Sequence, residues 1–106
     1  MPCRFGDLPD RNYACVYAVD LGNGIVKVGR TKSPKVRMEY LSRFARKEFG
    51  CDIARAHISP EIHGRAAYLS AEFSLLKRLR DIGTPHPKYR EFFTGVTFEQ
   101  AVALAA

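Results

Sequence analysis

The fold is decided by the stretch YACVYAVDLGNGIVKVGR at residues 13–30. Residues 13–20 and residues 25–30 are rich in β-branched and aromatic side chains, which favour strands. Between them, the dipeptide Asn23-Gly24 suits turn positions with φ > 0. The stretch therefore predicts two antiparallel strands joined by a tight hairpin turn.

The register of this hairpin stays open in the sequence. A loop centred on Gly22 would place Tyr17 opposite Lys27 in the ladder. A two-residue loop at Asn23-Gly24 would shift the pairing and turn those two side chains to opposite faces of the sheet.

A helix is expected to follow the hairpin. Ser33 is a suitable N-cap, Pro34 suits the first helical position, and Gly50 marks the end. The apolar positions that share one face of this helix are Val36, Tyr40, Leu41, Phe44 and Ala45. The charged positions of the other face are Lys35, Glu39, Arg43, Arg46 and Lys47. The helix is therefore predicted to be amphipathic, with a basic outer surface.

The remaining elements are a strand, a long helix, a short segment and a last helix. Residues 52–59 predict the strand, with Ala54, Ala56 and Ile58 on one side and Ile53, Arg55 and His57 on the other. Residues 66–82 carry apolar side chains at intervals of three and four before Gly83, which predicts the long helix. The hydrophobic segment EFFTG follows at residues 91–95, and Thr97 with Gln100 predicts a capping box for the last helix.

Length and composition indicate one folded domain. A chain of 106 residues can bury one modest core, and domains usually hold about 100 to 150 residues. The 46% of hydrophobic and 26% of charged residues are typical of folded globular proteins. We therefore expect a single domain over residues 1–106.

The net charge of +6 is concentrated in residues 27–47. That segment holds eight basic residues against a single acidic one, Glu39. Such a block attracts polyanions by counterion release, although a basic stretch can equally be a solvated helix face. The charge distribution is therefore compatible with a nucleic-acid partner and equally with a solvated surface.

The sequence predicts no membrane segment, no leader and no metal-binding cysteine motif. No run reaches the roughly 18 to 20 apolar residues that a membrane-spanning helix needs, and the N-terminal MPCRFGDLPDRN lacks the apolar core of a signal peptide. Cys3, Cys15 and Cys51 are widely separated and form no C-x-x-C motif, so we expect reduced thiols and a cytoplasmic location.

Glu72 falls on the apolar stripe of the long helix. Its neighbours three and four residues away are all apolar: Tyr68, Leu69, Leu75 and Leu76. A lone buried carboxylate is costly, so Glu72 must be paired, protonated or bound to a cation. A functional site and a structural ion pair both meet that need.

Arg37 gives a weaker signal of the same kind. Its helical neighbours at plus three and plus four, Tyr40 and Leu41, are apolar, so its guanidinium is expected to point toward the sheet. There it could clamp a phosphate bidentately or neutralise Glu72, and the two roles are compatible.

The hairpin resembles the signature of the GIY-YIG endonuclease superfamily. Residues 15–17, CVY, stand where that superfamily has GIY, and residues 27–31, KVGRT, stand where it has YIG and the residues that follow. The spacing between the two segments matches. The run IVKVGRTKSPKVR at residues 25–37 looks like the phage-type branch in particular.

The resemblance continues beyond the hairpin and spans residues 13–94. An arginine in the first helix, Arg37, and a glutamate in the second, Glu72, occur in the superfamily's order. The segment EFF at residues 91–93 resembles its closing E-W/F-F segment. Four ordered pieces at the expected separations form a far stronger signal than any one of them.

The resemblance implies an α+β fold with a small central three-stranded antiparallel sheet flanked by helices. It implies that Glu72 holds Mg²⁺ or Mn²⁺ against the scissile phosphate and that Arg37 stabilises the developing negative charge. By the same carry-over, Tyr17 binds or activates the attacking water, and Gly29 allows close backbone approach.

The chain also departs from the superfamily's pattern. The second tyrosine of the signature is Lys27 here, which could act as a general base if its pKa falls or could only contact a phosphate. Leu41 stands where some relatives carry a histidine, and no asparagine follows Glu72. His57 could serve as a base or proton shuttle instead, the alternative being an ordinary edge-strand histidine.

The leading hypothesis is a metal-dependent endonuclease or nickase that acts on DNA. The residues expected to be catalytic are Tyr17, Lys27, Arg37, Glu72 and His57. The residues expected to bind nucleic acid are Arg30, Thr31, Lys32, Lys35, Arg43, Arg46 and Lys47. A second hypothesis is a binding module that has lost its chemistry and holds nucleic acid for a partner protein. A third is an interaction protein in which Arg37 and Glu72 form an ion pair.

Overall fold

The computed structural model describes residues 11–105. The elements in chain order are β1 (Cys15–Asp20), β2 (Val26–Thr31), α1 (Pro34–Phe49), β3 (Arg55–Ile58), α2 (Arg65–Ile82), β4 (Thr84–Pro85), β5 (Phe92–Thr94) and α3 (Phe98–Ala105). The strands form one antiparallel sheet in the order β3-β1-β2-β5-β4. The fold is therefore α+β as expected.

The sheet has five strands, so the expectation of three was wrong. The hydrophobic segment EFFTG forms β5, in which Phe93 pairs with Val26 and Phe92 with Lys27. β4 then pairs with the outer edge of β5. Because β4 and β5 are only 2 and 3 residues long, they are too short for an alternating pattern to reveal them in the sequence.

The hairpin is centred on Asn23. Val19 pairs with Lys27 and Tyr17 with Gly29, a register that lies between the two expected ones. Lys27 and Tyr17 therefore share one face of the sheet as diagonal neighbours. The positive φ angles fall on Gly22 and Gly24, at 77° and 86°, and not on Asn23 as the dipeptide suggested.

The two faces of the sheet pack against different helices. On one face, Tyr17 and Val19 pack with Met38 and Leu41 of α1. On the other face, the apolar cluster joins the sheet to α2 and α3 through Val16, Ala18, Val28, Leu75, Leu79 and Ala101. Alternate residues of each strand therefore point into different layers of the molecule.

α1 begins and ends as predicted but buries a different stripe. Pro34 opens the helix and Gly50 ends it in the left-handed region at φ 66°. The buried positions are Pro34, Met38, Leu41, Ser42 and Ala45. Val36 and Tyr40, expected to be buried, face solvent. Both stripes fit the period of a helix. Met38 packs in the apolar cluster between the sheet and α1, whereas Tyr40 does not belong to it.

β3 is shorter than expected. Ala56 and Ile58 belong to the α1 face and Arg55 and His57 to the other, as predicted. Ile53 was assigned to the side of Arg55, but it is buried with the α1-face cluster. It precedes the strand, where the alternation of a strand does not hold.

α2 buries Tyr68, Leu75, Leu76 and Leu79, and α3 begins with the predicted capping box. The Thr97 amide donates to the Gln100 side chain at 2.8 Å, and the Gln100 amide donates to the Thr97 hydroxyl at 3.0 Å. Phe73, read as part of the apolar stripe of α2, is exposed. Across residues 11–105, no helix has both the length and the apolar character needed to cross a membrane.

Candidate functional site

Tyr17 and Lys27 meet directly above Gly29. A Cβ atom at Gly29 would lie 2.5 Å from the Tyr17 hydroxyl oxygen and 3.0 Å from Lys27 Nζ. Only glycine leaves room for that approach. Gly29 was expected to allow close approach to its backbone. In this structure the groups that approach it are the side chains of Tyr17 and Lys27, on the same face of the sheet.

Lys27 is almost fully buried, at 7% exposure, yet its charge is well supported. Its ammonium donates to the Val28 carbonyl at 2.7 Å and to Glu91 Oε1 at 2.9 Å. It also lies 5.3 Å from the centre of the Tyr17 ring and 5.6 Å from that of Phe92. These are the contacts of a cation and hydrogen-bond donor. We call Tyr17, Lys27, Gly29, Glu91 and Phe92 the hairpin cluster.

Glu72 lies apart from the hairpin cluster and is paired with Arg30. Its side chain is 18% exposed, and its Oε1 lies 3.6 Å from Arg30 Nε. Arg30 points to the α2 face of the sheet, because it alternates with Gly29 along β2. Glu72 is therefore paired with Arg30, which was expected to bind phosphate, and not with Arg37.

Tyr68 is the residue that sequence reasoning missed, because it was read only as part of the apolar stripe. It lies one helical turn before Glu72, with Arg30 Cζ 5.4 Å and Lys32 Nζ 5.7 Å from its ring centre. Burial raises the pKa of Tyr68, and Glu72 adds to the rise while Arg30 and Arg37 oppose it. The phenol therefore stays protonated and can donate a hydrogen bond.

We call Arg30, Lys32, Arg37, Tyr68 and Glu72 the Glu72 cluster. Arg37 is included because its charge lowers the pKa of Tyr68, although it is the weakest of the influences on that group. Arg30 and Lys32 thus lie near the Tyr68 ring, Arg30 is paired with Glu72, and Arg37 adds positive charge from α1. A single carboxylate does not balance that charge, so the cluster attracts a further anion.

Two cavities open beside this cluster. One of about 180 Å³ is lined by Ala14, Lys32, Ile62, Gly64, Arg65 and Tyr68. The other, of about 380 Å³, is lined by Thr31, Ser33, Val36, Arg37, Tyr40 and Arg43. Both linings contain arginine and neither contains a carboxylate. The end of β2 is therefore flanked on both sides by basic cavities.

Comparison with known proteins identifies the family. The model of the T5orf172 domain matches residues 12–106. This chain belongs to the T5orf172 domain family. The family has a GIY-YIG-like fold and is associated with nuclease-like function. Comparison of the chain with curated proteins and with solved structures gave no match.

The other residues singled out in this T5orf172 domain are not members of the Glu72 cluster. His57 pairs with Ala18 and lies on the sheet face opposite Tyr17, and its Nε2 is buried without a hydrogen-bond partner among the described residues. Lys35, Arg43, Arg46 and Lys47 are exposed on α1, as predicted. Arg46 is paired there with Asp52 at 3.1 Å.

The cysteines of the domain carry no sign of reactivity. Burial raises the pKa of Cys15 to about 11, and burial also raises that of Cys51. Both are free thiols, and Cys3 lies outside the described residues. A thiol kept protonated is a poor nucleophile and a poor metal ligand.

The residues of the Glu72 cluster could hold a metal ion only together with ligands from outside the protein. Among residues 11–105, no group of three or more His, Cys, Asp or Glu side chains could form a cage for a metal ion. Mg²⁺ commonly binds through one or two carboxylates, water and the phosphates of a substrate. Glu72 with a phosphate beside it meets that requirement, whereas Glu72 paired with Arg30 does not.

Proposed function

We propose that this T5orf172 domain is an endonuclease or nickase that hydrolyses phosphodiester bonds in DNA with the help of Mg²⁺ or Mn²⁺. Its reaction centre is the Glu72 cluster, and within the GIY-YIG-like fold its sequence resembles the phage-type branch. The observation that carries the proposal is the Arg30–Glu72 pair, 3.6 Å apart, with Arg30 over the ring of Tyr68, which lines a cavity together with Lys32 and Arg65.

Phosphate binding begins with the surplus positive charge. Arg30, Lys32 and Arg37 attract a backbone phosphate, which competes with Glu72 for the Arg30 guanidinium. As Arg30 turns to the phosphate, the Glu72 carboxylate loses its partner and becomes available as a ligand. Glu72 would then hold the metal ion, which supplies Lewis-acid stabilisation of charge on the phosphate oxygens.

Charge stabilisation is the work of the remaining side chains. Hydrolysis places extra negative charge on the non-bridging oxygens and on the leaving oxygen. In this proposal Arg37, which lines the larger basic cavity, offsets that charge, and the protonated Tyr68 donates a hydrogen bond to the charged oxygen. Neither residue has to give up a proton in these roles.

The hairpin cluster supports this centre from the other sheet face. The hydrogen bonds of Lys27 to Val28 and Glu91 favour a structural or phosphate-contacting cation over a general base. Tyr17, 1% exposed, fixes the packing of the strand that carries Arg30 and Thr31. In this proposal His57 takes no part in the reaction.

A second candidate function is a nucleic-acid-binding module that does not cut. It is favoured by the ion pairs that already occupy both Lys27 and Glu72. In that case the same basic cavities hold the backbone for a partner protein. The two functions can be distinguished by measurement, because only the nuclease would cut an intact strand when divalent metal is added.

The deciding experiment is a plasmid-nicking assay with Mg²⁺ or Mn²⁺ that compares wild type with Glu72→Gln. The near-isosteric change removes the ligand's charge and is expected to abolish nicking while the fold and nucleic-acid affinity persist. Glu61→Gln is the matched control, because Glu61 is also paired with an arginine, Arg11, at 2.9 Å. Nicking by wild type that survives Glu72→Gln would reject this reaction centre. Binding without nicking by wild type would establish the binding module.

A further inference from the structure

The cavity on the α1 side is built around an exposed aromatic ring. Val36 and Tyr40 are 62% and 48% exposed, although both are large apolar side chains on an otherwise charged helix surface. They line the cavity of about 380 Å³ with Thr31, Ser33, Arg37 and Arg43. Exposed apolar side chains that line a cavity rimmed by polar groups form a candidate binding surface.

Two other aromatic rings, Phe44 and Phe92, support the Tyr40 ring on the side of the core. It stacks on Phe44 with ring centres 6.2 Å apart and an interplanar angle of 28°. Phe44 in turn stacks on the buried Phe92 at 5.5 Å and 24°. This column of rings connects Tyr40 to the core. Tyr40 is therefore a fixed, flat platform whose orientation does not have to be organised when a ligand binds.

The charges around the platform select an anionic ligand. Arg37 Cζ lies 5.6 Å from the centre of the Tyr40 ring, and Arg43 lines the same cavity one turn farther along α1. No carboxylate belongs to the lining. An aromatic ring flanked by arginines is the combination that binds a base by stacking and its phosphates by charge.

We propose that this cavity binds an unpaired nucleotide, with its base stacked on Tyr40 and its flanking phosphates on Arg37 and Arg43. In a duplex both faces of each base are covered by neighbouring bases, so a protein ring can reach a base only where the strand is single or the base is extruded. The inference rests on the proposed function in that it names the substrate class: nucleic acid with an unpaired segment.

Binding measured without metal tests this inference independently of cleavage. Fluorescence anisotropy in EDTA would compare oligo-dT, oligo-U and a blunt two-strand duplex of equal total nucleotide count. The single strands are expected to bind more tightly than the duplex. The ratio of the oligo-dT and oligo-U affinities shows whether the unpaired nucleotide is that of DNA or of RNA, and tight binding of either supports the site.

The Tyr40 platform is tested by paired substitutions. Tyr40→Ala is expected to weaken single-strand binding by about 5- to 150-fold, the loss typical of one base–aromatic stack. Tyr40→Phe keeps the ring and is expected to stay within about twofold of wild type, since stacking needs no hydroxyl. Phe73→Ala removes another exposed aromatic ring, on α2, and is expected to change nothing. Circular dichroism of each variant establishes that it is folded.

Two results would overturn the inference. One is an equal loss of single-strand and duplex affinity in folded Tyr40→Ala, and the other is no loss at all. Because these measurements contain no metal, they remain decisive even if wild type fails to nick DNA. Conversely, loss of nicking in Glu72→Gln together with unchanged single-strand binding in Tyr40→Ala would keep the nuclease and remove the base site.

Discussion

The hairpin cluster and the Glu72 cluster each pair a cation with a carboxylate, but their surroundings differ. In the hairpin cluster Lys27 is buried between two rings and its ammonium donates to both Val28 and Glu91. In the Glu72 cluster the carboxylate is paired with Arg30, Lys32 lies near the ring of Tyr68, and a cavity with a basic lining opens beside Tyr68. Tyr17, Lys27 and Gly29, which carry part of the family resemblance, therefore pack the sheet. Arg30, their neighbour on β2, belongs instead to the cluster whose positive charge is not balanced.

Among substitutions that leave Glu72 in place, the largest effect is expected from removing Arg37, whose charge is proposed to stabilise the reaction. Arg37→Ala should lower the single-turnover nicking rate by about 10²- to 10³-fold, the usual loss when one charge-stabilising donor is removed. Stability should hardly change, because Arg37 is a half-buried surface side chain. Arg37→Lys keeps the charge without the planar fork and should recover part of the rate. An unchanged rate in folded Arg37→Ala would exclude this role.

A smaller loss is expected from Tyr68→Phe. Removing one neutral hydrogen-bond donor should lower the nicking rate by about fivefold, in line with the roughly 1 kcal/mol that such a bond contributes. Burial raises the pKa of Tyr68 above its ordinary value of 10.0, so the donor form is fully present below that pH. The ratio of wild-type to Tyr68→Phe rates should therefore be constant between pH 7 and pH 9. A ratio that rises through this range would show that Tyr68 acts as a base.

The smallest effect on the rate is expected from Gly29→Ala, which acts on stability instead. The added methyl group would lie 2.5 Å from the Tyr17 hydroxyl, so the strand or the ring must shift. Overpacking of this kind costs about 1 to 3 kcal/mol, measurable by urea denaturation. The nicking rate of the remaining folded protein should stay close to wild type. Normal stability with lost nicking would instead place the reaction centre at the hairpin cluster.

Local features of the fold could be predicted from the sequence. The ends of α1 depend on Pro34 and Gly50, and the start of α3 depends on Thr97 and Gln100, three residues apart. Each of these signals acts through backbone groups within one helical turn. These signals do not depend on the rest of the fold, so they can be recognised in the sequence.

Features that depend on distant pairing could not be predicted. Val36 and Tyr40 fit a helical stripe as well as Met38 does, and only the packing of the sheet decides which stripe is buried. The partner of Glu72 is likewise set by the register of β2, 42 positions earlier in the chain at Arg30. Tyr68 was missed because its apolar spacing concealed the position of its hydroxyl group among charges.

The central claim is that the reaction centre lies at Glu72 and that Lys27 is a supporting cation. Single-turnover nicking of DNA by Lys27→Arg and by Glu72→Gln, measured side by side with Mn²⁺, tests it most directly. Arginine keeps the positive charge of Lys27 but cannot accept a proton, so Lys27→Arg should stay within about tenfold of wild type, whereas loss of a general base would cost about 10²- to 10⁴-fold. Glu72→Gln should show no nicking above background. A large loss in Lys27→Arg together with full activity in Glu72→Gln would contradict the account.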